Sequence, residues 1–227
     1  MSVARETKDK LYAQFARLGH ALSSPKRLEL LDLLCQCEKT VETLAAQAAL
    51  SVANTSRHLQ VLREARVVDA RKSGVHVFYR LADDEVCDFF RSLRRLAEKR
   101  IAEIDRIIAD YFDPSVQLLP VNRRQLLKKA RKGEVVILDV RPRDEYDAGH
   151  LPFARSMPLE ELEKQLSEFS SMVEIVAYCR GPYCVLAQEA VRILKSRGFK
   201  AMRLSDGTAE WKDAGFDLET PPIAAKT

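Results

Sequence analysis

The constraint that bounds this chain most tightly is a change of apolar rhythm across residues 111–120. Before that segment, apolar residues recur at helical spacing and are broken once by a β-rich hairpin. After it, short apolar runs alternate with amphipathic helices. The segment itself, Tyr111-Phe-Asp-Pro-Ser-Val-Gln-Leu-Leu-Pro120, carries two prolines and ends the helical pattern. Two separate cores are therefore expected: a mostly α domain over residues 1–112 and an α/β domain over 122–227, joined by a linker at 113–121. With 227 residues, each half has enough chain to bury a core of its own.

No apolar run approaches the roughly 20 residues of a membrane span, so no membrane partner is expected. Met1 to Lys10 is too polar for a secretory signal, and a cytoplasmic protein follows. Five cysteines at scattered spacing do not make a disulfide framework, which leaves free and reactive thiols as the expectation. Net charge is only +4, but six bases (Arg57, Arg63, Arg66, Arg71, Lys72 and Arg80) face two acids, Glu64 and Asp69, within residues 57–80. Such a local excess suits a phosphate backbone better than a uniformly basic surface would.

In the first half, Leu11, Phe15, Leu18 and Leu22 form a helical stripe. Ser24-Pro25 supplies a cap and a first-turn proline for a helix to about Leu34. A short helix is expected from Thr40 to Ala48, and Ser51 caps another to about Ala65. Two β-rich runs, Val67 to Arg71 and Val75 to Tyr79, flank a Lys72-Ser73-Gly74 turn and predict a hairpin. A long helix follows from Asp84 to about Tyr111. Its stripe of Val86, Phe90, Leu93, Ala97, Ile101, Ile104 and Ile108 exceeds what one small core needs, so a second copy is expected to cover it. A short turn followed by a Ser-capped polar helix is a helix-turn-helix pattern. Ser51, Asn54, Thr55, Ser56, Arg57, His58 and Gln60 are its candidate DNA contacts, with Arg71 and Lys72 on the hairpin lying along the backbone.

Three stretches make this half resemble the winged-helix repressors of the ArsR family: Pro25-Lys-Arg-Leu-Glu-Leu-Leu31, Ser51-Val-Ala-Asn-Thr-Ser-Arg-His-Leu-Gln-Val-Leu-Arg-Glu-Ala65 and His76-Val-Phe-Tyr-Arg80. The resemblance implies a homodimer, formed through the first and last helices of the domain, that binds operator DNA and leaves it when an inducer acts. Arsenic-sensing members carry Cys-Val-Cys where this chain has Thr40, Val41 and Glu42. Another metal site of the family needs histidines on the last helix, which here offers Asp83, Asp84, Glu85 and Cys87 instead. No metal site and no cofactor are therefore expected. Cys35, Cys37 and Cys87 read as small apolar residues, as a two-thiol sensor like that of the family's persulfide-responsive members, or as a non-standard arsenic or metal site.

In the second half, Asn122 to Arg131 reads as helical and Val135 to Leu138 as a buried strand ending at Asp139. A helical turn closes on Gly149, Glu174 to Tyr178 forms a strand, and Val185 to Arg197 forms a helix. A short strand near Ala201 to Leu204 precedes a last helix that opens at Asp206-Gly207 and carries Trp211. Alternating strands and helices predict a parallel sheet with its chemistry at the strands' carboxyl ends. Cys179 falls at such an end, before a short loop (Arg180, Gly181, Pro182, Tyr183, Cys184) and a helix N-terminus. Both features favour the nucleophilic thiolate.

Asp139-Val-Arg141, Glu145-Tyr-Asp-Ala-Gly-His150, Tyr178-Cys-Arg-Gly181 and Asp206-Gly207 with Trp211 make this half resemble a single rhodanese domain. By that resemblance Cys179 takes a sulfane sulfur as a persulfide, the loop to Cys184 is the anion cradle, and Arg180 steadies an anionic donor. Asp139 and Arg141 would brace the loop from beneath, or form a structural ion pair. Related cradles for phosphoryl or arsenate chemistry need an arginine six positions after the cysteine, where this chain has Val185. Cys184 either closes a bridge with a persulfidated Cys179 or packs under the following helix. The expected function is a DNA-binding repressor that senses or carries sulfane sulfur (persulfide, polysulfide or thiosulfate) on Cys179. The alternatives are a sulfurtransferase tethered to a DNA-binding domain and an arsenic- or metal-responsive repressor.

Overall fold

The computed structural model describes residues 3–112, 116, 118–119, 122–166, 169 and 173–221. The chain divides into two compact units, Met1–Arg100 and Ile101–Thr227. None of the described helices is long and apolar enough to cross a membrane.

The first unit runs α1 (Val3–Leu22), α2 (Pro25–Leu34), β1 (Lys39–Thr40), α3 (Val41–Gln47), α4 (Val52–Glu64), β2 (Val68–Ser73), β3 (His76–Leu81) and α5 (Asp84–Arg100). Its helix starts follow the caps in the sequence. The Thr40 hydroxyl accepts from the Thr43 N–H at 3.2 Å, and the Ser51 hydroxyl accepts from Asn54 N–H at 3.2 Å. Ser24 holds the cap position of α2, but its side chain makes no capping hydrogen bond. Leu30, Leu31, Leu44, Leu59 and Leu62 are fully buried and draw α2, α3 and α4 together under β2. Burial of each contributes roughly 1.5–3 kcal/mol.

The three strands form an antiparallel sheet in the order β1-β3-β2. The hairpin turn differs from expectation: Ser73 pairs with His76, so Lys72 lies in β2 opposite Val77 and the turn is Gly74-Val75. Gly74 has φ +61°, the left-handed value a two-residue hairpin turn needs, and this lets pairing extend to Ser73.

The expected helix from Asp84 to Tyr111 is also two helices. Ile101 is extended, with φ −114° and ψ 96°, and α6 (Ala102–Tyr111) begins the second unit. The far end of α6 is anchored in that unit, where Gln188 Nε2 donates to the Tyr111 carbonyl at 3.1 Å. A tertiary anchor at one end outweighs the propensity for a single continuous helix.

After α6 come β4 (Leu118–Leu119), α7 (Arg123–Arg131), β5 (Val135–Asp139), α8 (Arg143–Ala148), β6 (Ala154–Ser156), α9 (Leu159–Gln165), β7 (Glu174–Tyr178), α10 (Val185–Ser196), β8 (Ala201–Leu204) and α11 (Thr208–Asp213). The five strands make a parallel sheet in the order β4-β8-β7-β5-β6. Alternation along β7 sends Ile175 and Ala177 to one face and Val176 and Tyr178 to the other. The first face packs on Ala187, Val191 and Leu194 of α10, and the second on Leu126 and Trp211. Part of the expected linker belongs to this unit: Val116 is buried in its core, and β4 is the edge strand beside β8. Residues 113–115, 117, 120 and 121 of that linker lie outside the described residues.

Leu59→Ala is expected to destabilise the first unit by about 2–5 kcal/mol, because the cavity left beneath α4 adds to the lost burial. Urea unfolding of the two proteins measures it. A loss below about 1 kcal/mol would mean that α4 is not packed on this core.

Candidate functional site

The site of the second unit is built on two adjacent strand ends. Asp139, the last residue of β5, pairs in register with Tyr178, the last of β7. Asp139, Arg141 and Tyr178 are each 1% exposed or less. Arg141 donates its backbone N–H to Asp139 Oδ1 at 3.0 Å, its Nε to Oδ1 at 2.9 Å and its Nη2 to Oδ2 at 2.6 Å. Tyr178 donates its hydroxyl proton to Asp139 Oδ2 and accepts from Leu151 N–H at 3.1 Å. Arg141 Nη2 also donates to the Gly149 carbonyl at 2.8 Å. Burial by itself lowers the pKa of Arg141, but hydrogen bonding to Asp139 and the charge of its carboxylate hold it above the ordinary range. Burial and the Asp139 charge push Tyr178 well up, so the phenol remains a donor.

Cys179 follows β7 directly and is 1% exposed. The loop it opens is held from three sides. Arg180 donates Nε and Nη2 to the fully buried Glu145 of α8, at 2.9 and 2.7 Å. Arg203 of β8 donates Nη1 to the Pro182 carbonyl at 3.0 Å. Gly207, before α11, approaches so closely that a Cβ there would lie 2.4 Å from the Arg180 carbonyl. Within the loop, Cys184 N–H donates to the Gly181 carbonyl at 3.2 Å. Cys184 caps α10 and is joined to Cys179 as a disulfide, with Cα atoms 6.0 Å apart. Tyr183 and Val185, 36% and 43% exposed, border the loop with apolar surface.

These positions sort the residues singled out in the sequence. Cys179 and Cys184 come together, and Asp139 and Arg141 form a buried ion pair, with Asp139 in register with Tyr178. Glu145 takes two of the donors of Arg180. Glu145 stood within a quoted motif but with no partner in view. Arg203 was missed altogether, although a charged residue two positions after an inward-facing alanine breaks the strand's pattern.

In the first unit, Ser51, Asn54, Arg57 and Gln60 are exposed on α4, while Ser56 and His58 are half-buried. Thr55 is fully buried and donates its hydroxyl to the Ser51 carbonyl at 3.0 Å, so it cannot reach a base edge. Helical periodicity explains the correction, since Thr55 lies one turn before the buried Leu59. On β2, Lys72 is exposed, whereas Arg71 donates Nε to Glu38 at 2.8 Å, donates Nη2 to the same carboxylate, and lies over the Phe78 ring. Hydrogen bonding to Arg71 lowers the pKa of Glu38.

Cys35, at the C-terminal cap of α2, is joined to Cys87 in the first turn of α5, with Cα atoms 5.6 Å apart. Four of the five cysteines are thus paired rather than free, which corrects the reading from spacing. Tertiary adjacency decides pairing, and regular spacing is not required for it.

Gly207→Ala is expected to push the Arg180–Gly181 backbone away from α11 and cost about 1–3 kcal/mol, since the opposing atoms are main chain. Unfolding of the second unit and the rate of Cys179–Cys184 closure measure it. Wild-type values for both would show that the loop tolerates displacement.

Residues 122–214 match the family described as Rhodanese-like domain, and residues 24–70 match the bacterial regulatory proteins of the arsR family. The HTH-type transcriptional regulator Rv0324 of Mycobacterium tuberculosis is 38% identical over 219 residues, which cover 96% of each chain. A transcriptional repressor SmtB homolog of Synechocystis is 38% identical over 80 residues, covering 35% of this chain and 61% of that protein. A homodimeric winged helix-turn-helix DNA-binding domain from Mycobacterium bovis, solved in solution, is 35% identical. It covers 41% of this chain and 87% of its own, at a TM-score of 0.40. Two family matches in order, and a relative aligned along nearly the whole length, identify the chain as a transcriptional regulator of the arsR family whose winged helix-turn-helix is followed by a rhodanese-like domain.

Proposed function

We propose that this regulator is a homodimeric repressor that binds operator DNA and releases it when a sulfane-sulfur species acts on Cys179. The observation that carries the reading is the Cys179–Cys184 bridge within the rhodanese loop. A thiolate at Cys179 attacks the sulfane sulfur of a hydropersulfide, RS–SH, forming Cys179–S–SH and releasing RS⁻. The Cys184 thiolate then attacks the Cys179 sulfur, forming the bridge and expelling HS⁻. The two cysteines are oxidised and the sulfane sulfur is reduced to sulfide. Closure removes the nucleophile, which favours a reporter over a sulfurtransferase that turns over continuously.

Donor choice follows from the loop's charges. Arg180 is held by Glu145, and Arg141 by Asp139. With those two charges balanced, the donors that suit the loop are organic persulfides and polysulfides, which need no pair of cations to hold them.

The first unit supplies the DNA-reading surface through Ser51, Asn54, Ser56, Arg57, His58 and Gln60 of α4 and Lys72 of the wing. The exposed Leu11 and Phe15 of α1 and Phe89 and Leu96 of α5 are the apolar faces a second copy covers. The first unit, Met1–Arg100, serves as the DNA-binding and dimerising domain, and the second, Ile101–Thr227, as the sulfur-responsive domain. The Cys35–Cys87 pair is a second dithiol, in the first unit.

Polysulfide is expected to weaken operator binding of the wild type roughly 5–150-fold and to leave Cys179→Ser unaffected. Equal responses in the two proteins would overturn the assignment. A response lost in Cys35→Ser but kept in Cys179→Ser would move the sensor to the first unit.

For the wing, Lys72→Ala should weaken binding and reduce the slope of log affinity against log salt by about one. Arg71→Ala should change that slope less, because Glu38 already neutralises it. An unchanged slope in Lys72→Ala would place that residue away from phosphate.

A further inference from the structure

Arg203 is a buried cation placed under the sulfur loop. It lies two residues after Ala201, on the sheet face that carries Ala177 and packs on Ala187 of α10, and is 5% exposed. Among the described residues no carboxylate pairs with it, and its Nε has no hydrogen-bond partner. Burial lowers its pKa. Its guanidinium makes two contacts that belong to different elements. Nη1 donates to the Pro182 carbonyl at 3.0 Å, and the group lies 4.3 Å from the centre of the Phe112 ring. A buried, uncompensated guanidinium is unfavourable, so it gains strongly from any anion that forms beside it.

The neighbouring contact runs the same way. Gln188, 1% exposed in the first turn of α10, donates to the Tyr111 carbonyl at 3.1 Å. That carbonyl is one of the last four of α6, which have no partner within their own helix. Both groups holding the end of α6 therefore belong to the loop's own supports: α10 begins one residue after Cys184, and Arg203 holds Pro182. In sequence, α6 follows α5 of the DNA-reading unit with Ile101 alone between them.

We infer that Arg203 and Gln188 form a latch through which the state of the sulfur loop controls helix α6. With the bridge closed, they hold Phe112 and Tyr111. Opening takes two electrons and two protons from a dithiol, which closes to its own disulfide as Cys179 and Cys184 become thiols. A thiol of the opened loop at the N-terminus of α10 then gives its proton to solvent water. Arg203 turns to that thiolate and gives up the Phe112 ring, and the end of α6 loosens. The latch rests on the reading above that this bridge opens and closes in function, and it names the regulation of that site.

The test is amide hydrogen exchange of residues 102–112, followed by mass spectrometry in the full chain carrying Cys35→Ser and Cys87→Ser. It is run with the loop bridge closed and after reduction by excess dithiol. The expected result is about tenfold faster exchange at Ile108 to Phe112 in the reduced protein. Arg203→Met should give fast exchange in both states. Phe112→Leu, which keeps apolar bulk but removes the ring, should do the same if the arginine variant folds poorly. Exchange independent of the bridge with Arg203 present, or an undiminished difference in both variants, would overturn the latch. Reduction by a dithiol does not involve sulfane sulfur, so a failure of polysulfide to modify Cys179 is read separately. Polysulfide-dependent operator release with bridge-independent α6 exchange would overturn the latch alone.

Discussion

A carboxylate withdrawn from water sets the geometry of the sulfur loop. Asp139 is fully buried, and burying a charge costs several kcal/mol unless its lone pairs are filled. Its donors come from two places: Arg141, just after β5, and Tyr178, the last residue of β7. Satisfying that carboxylate therefore fixes the ends of two strands relative to one another. Cys179 is the next residue along, so its backbone leaves a locked position. The Glu145–Arg180 pair repeats the device one step further out and holds the loop to α8. With two arginines committed to carboxylates, Arg203 of β8 is, among the described residues, the buried cation beside the loop whose charge is still unbalanced.

The same arithmetic governs the wing. Counted along the chain, residues 57–80 carry an excess of four positive charges. On the folded surface, Glu38 from outside that window takes Arg71, and Asp69 lies 3.7 Å from Arg80. Exposed pairs of this kind contribute little stability, but they decide which bases remain available to a polyanion. Lys72 and Arg57 stay exposed.

What was legible in the sequence was local. The change of rhythm near residue 111 gave two cores, Thr40 and Ser51 marked helix starts, and Val135 to Leu138 and Glu174 to Tyr178 read correctly as buried strands. The Cys179 loop was placed between a strand end and a helix start for the same reason. What was illegible depends on residues far apart in the chain. Glu145 and Arg180 are 35 positions apart, and Cys35 and Cys87 are separated by 52. The strands Leu118–Leu119 and Ala154–Ser156 are too short to show a period and exist because a longer neighbour offers an edge. The break at Ile101 carries no glycine or proline. It follows from an anchor at the other end of α6.

The two bridges differ in what they can do to the fold. Closing a loop limits the unfolded chain more when the loop is long, so a separation of 52 stabilises the first unit by about 4 kcal/mol, whereas a separation of 5 stabilises the second by about 2 kcal/mol. Opening Cys35–Cys87 thus removes a large fraction of a small domain's stability and loosens α2 from α5. Opening Cys179–Cys184 leaves the sheet, the Asp139 cluster and the Glu145–Arg180 pair in place, because none of them passes through the sulfurs. A loop held by Glu145 and by the close approach of Gly207, contacts independent of its bridge, can change oxidation state while the unit remains folded. The energy released or absorbed there is then confined to the few groups that touch the loop, among them Arg203 through the Pro182 carbonyl.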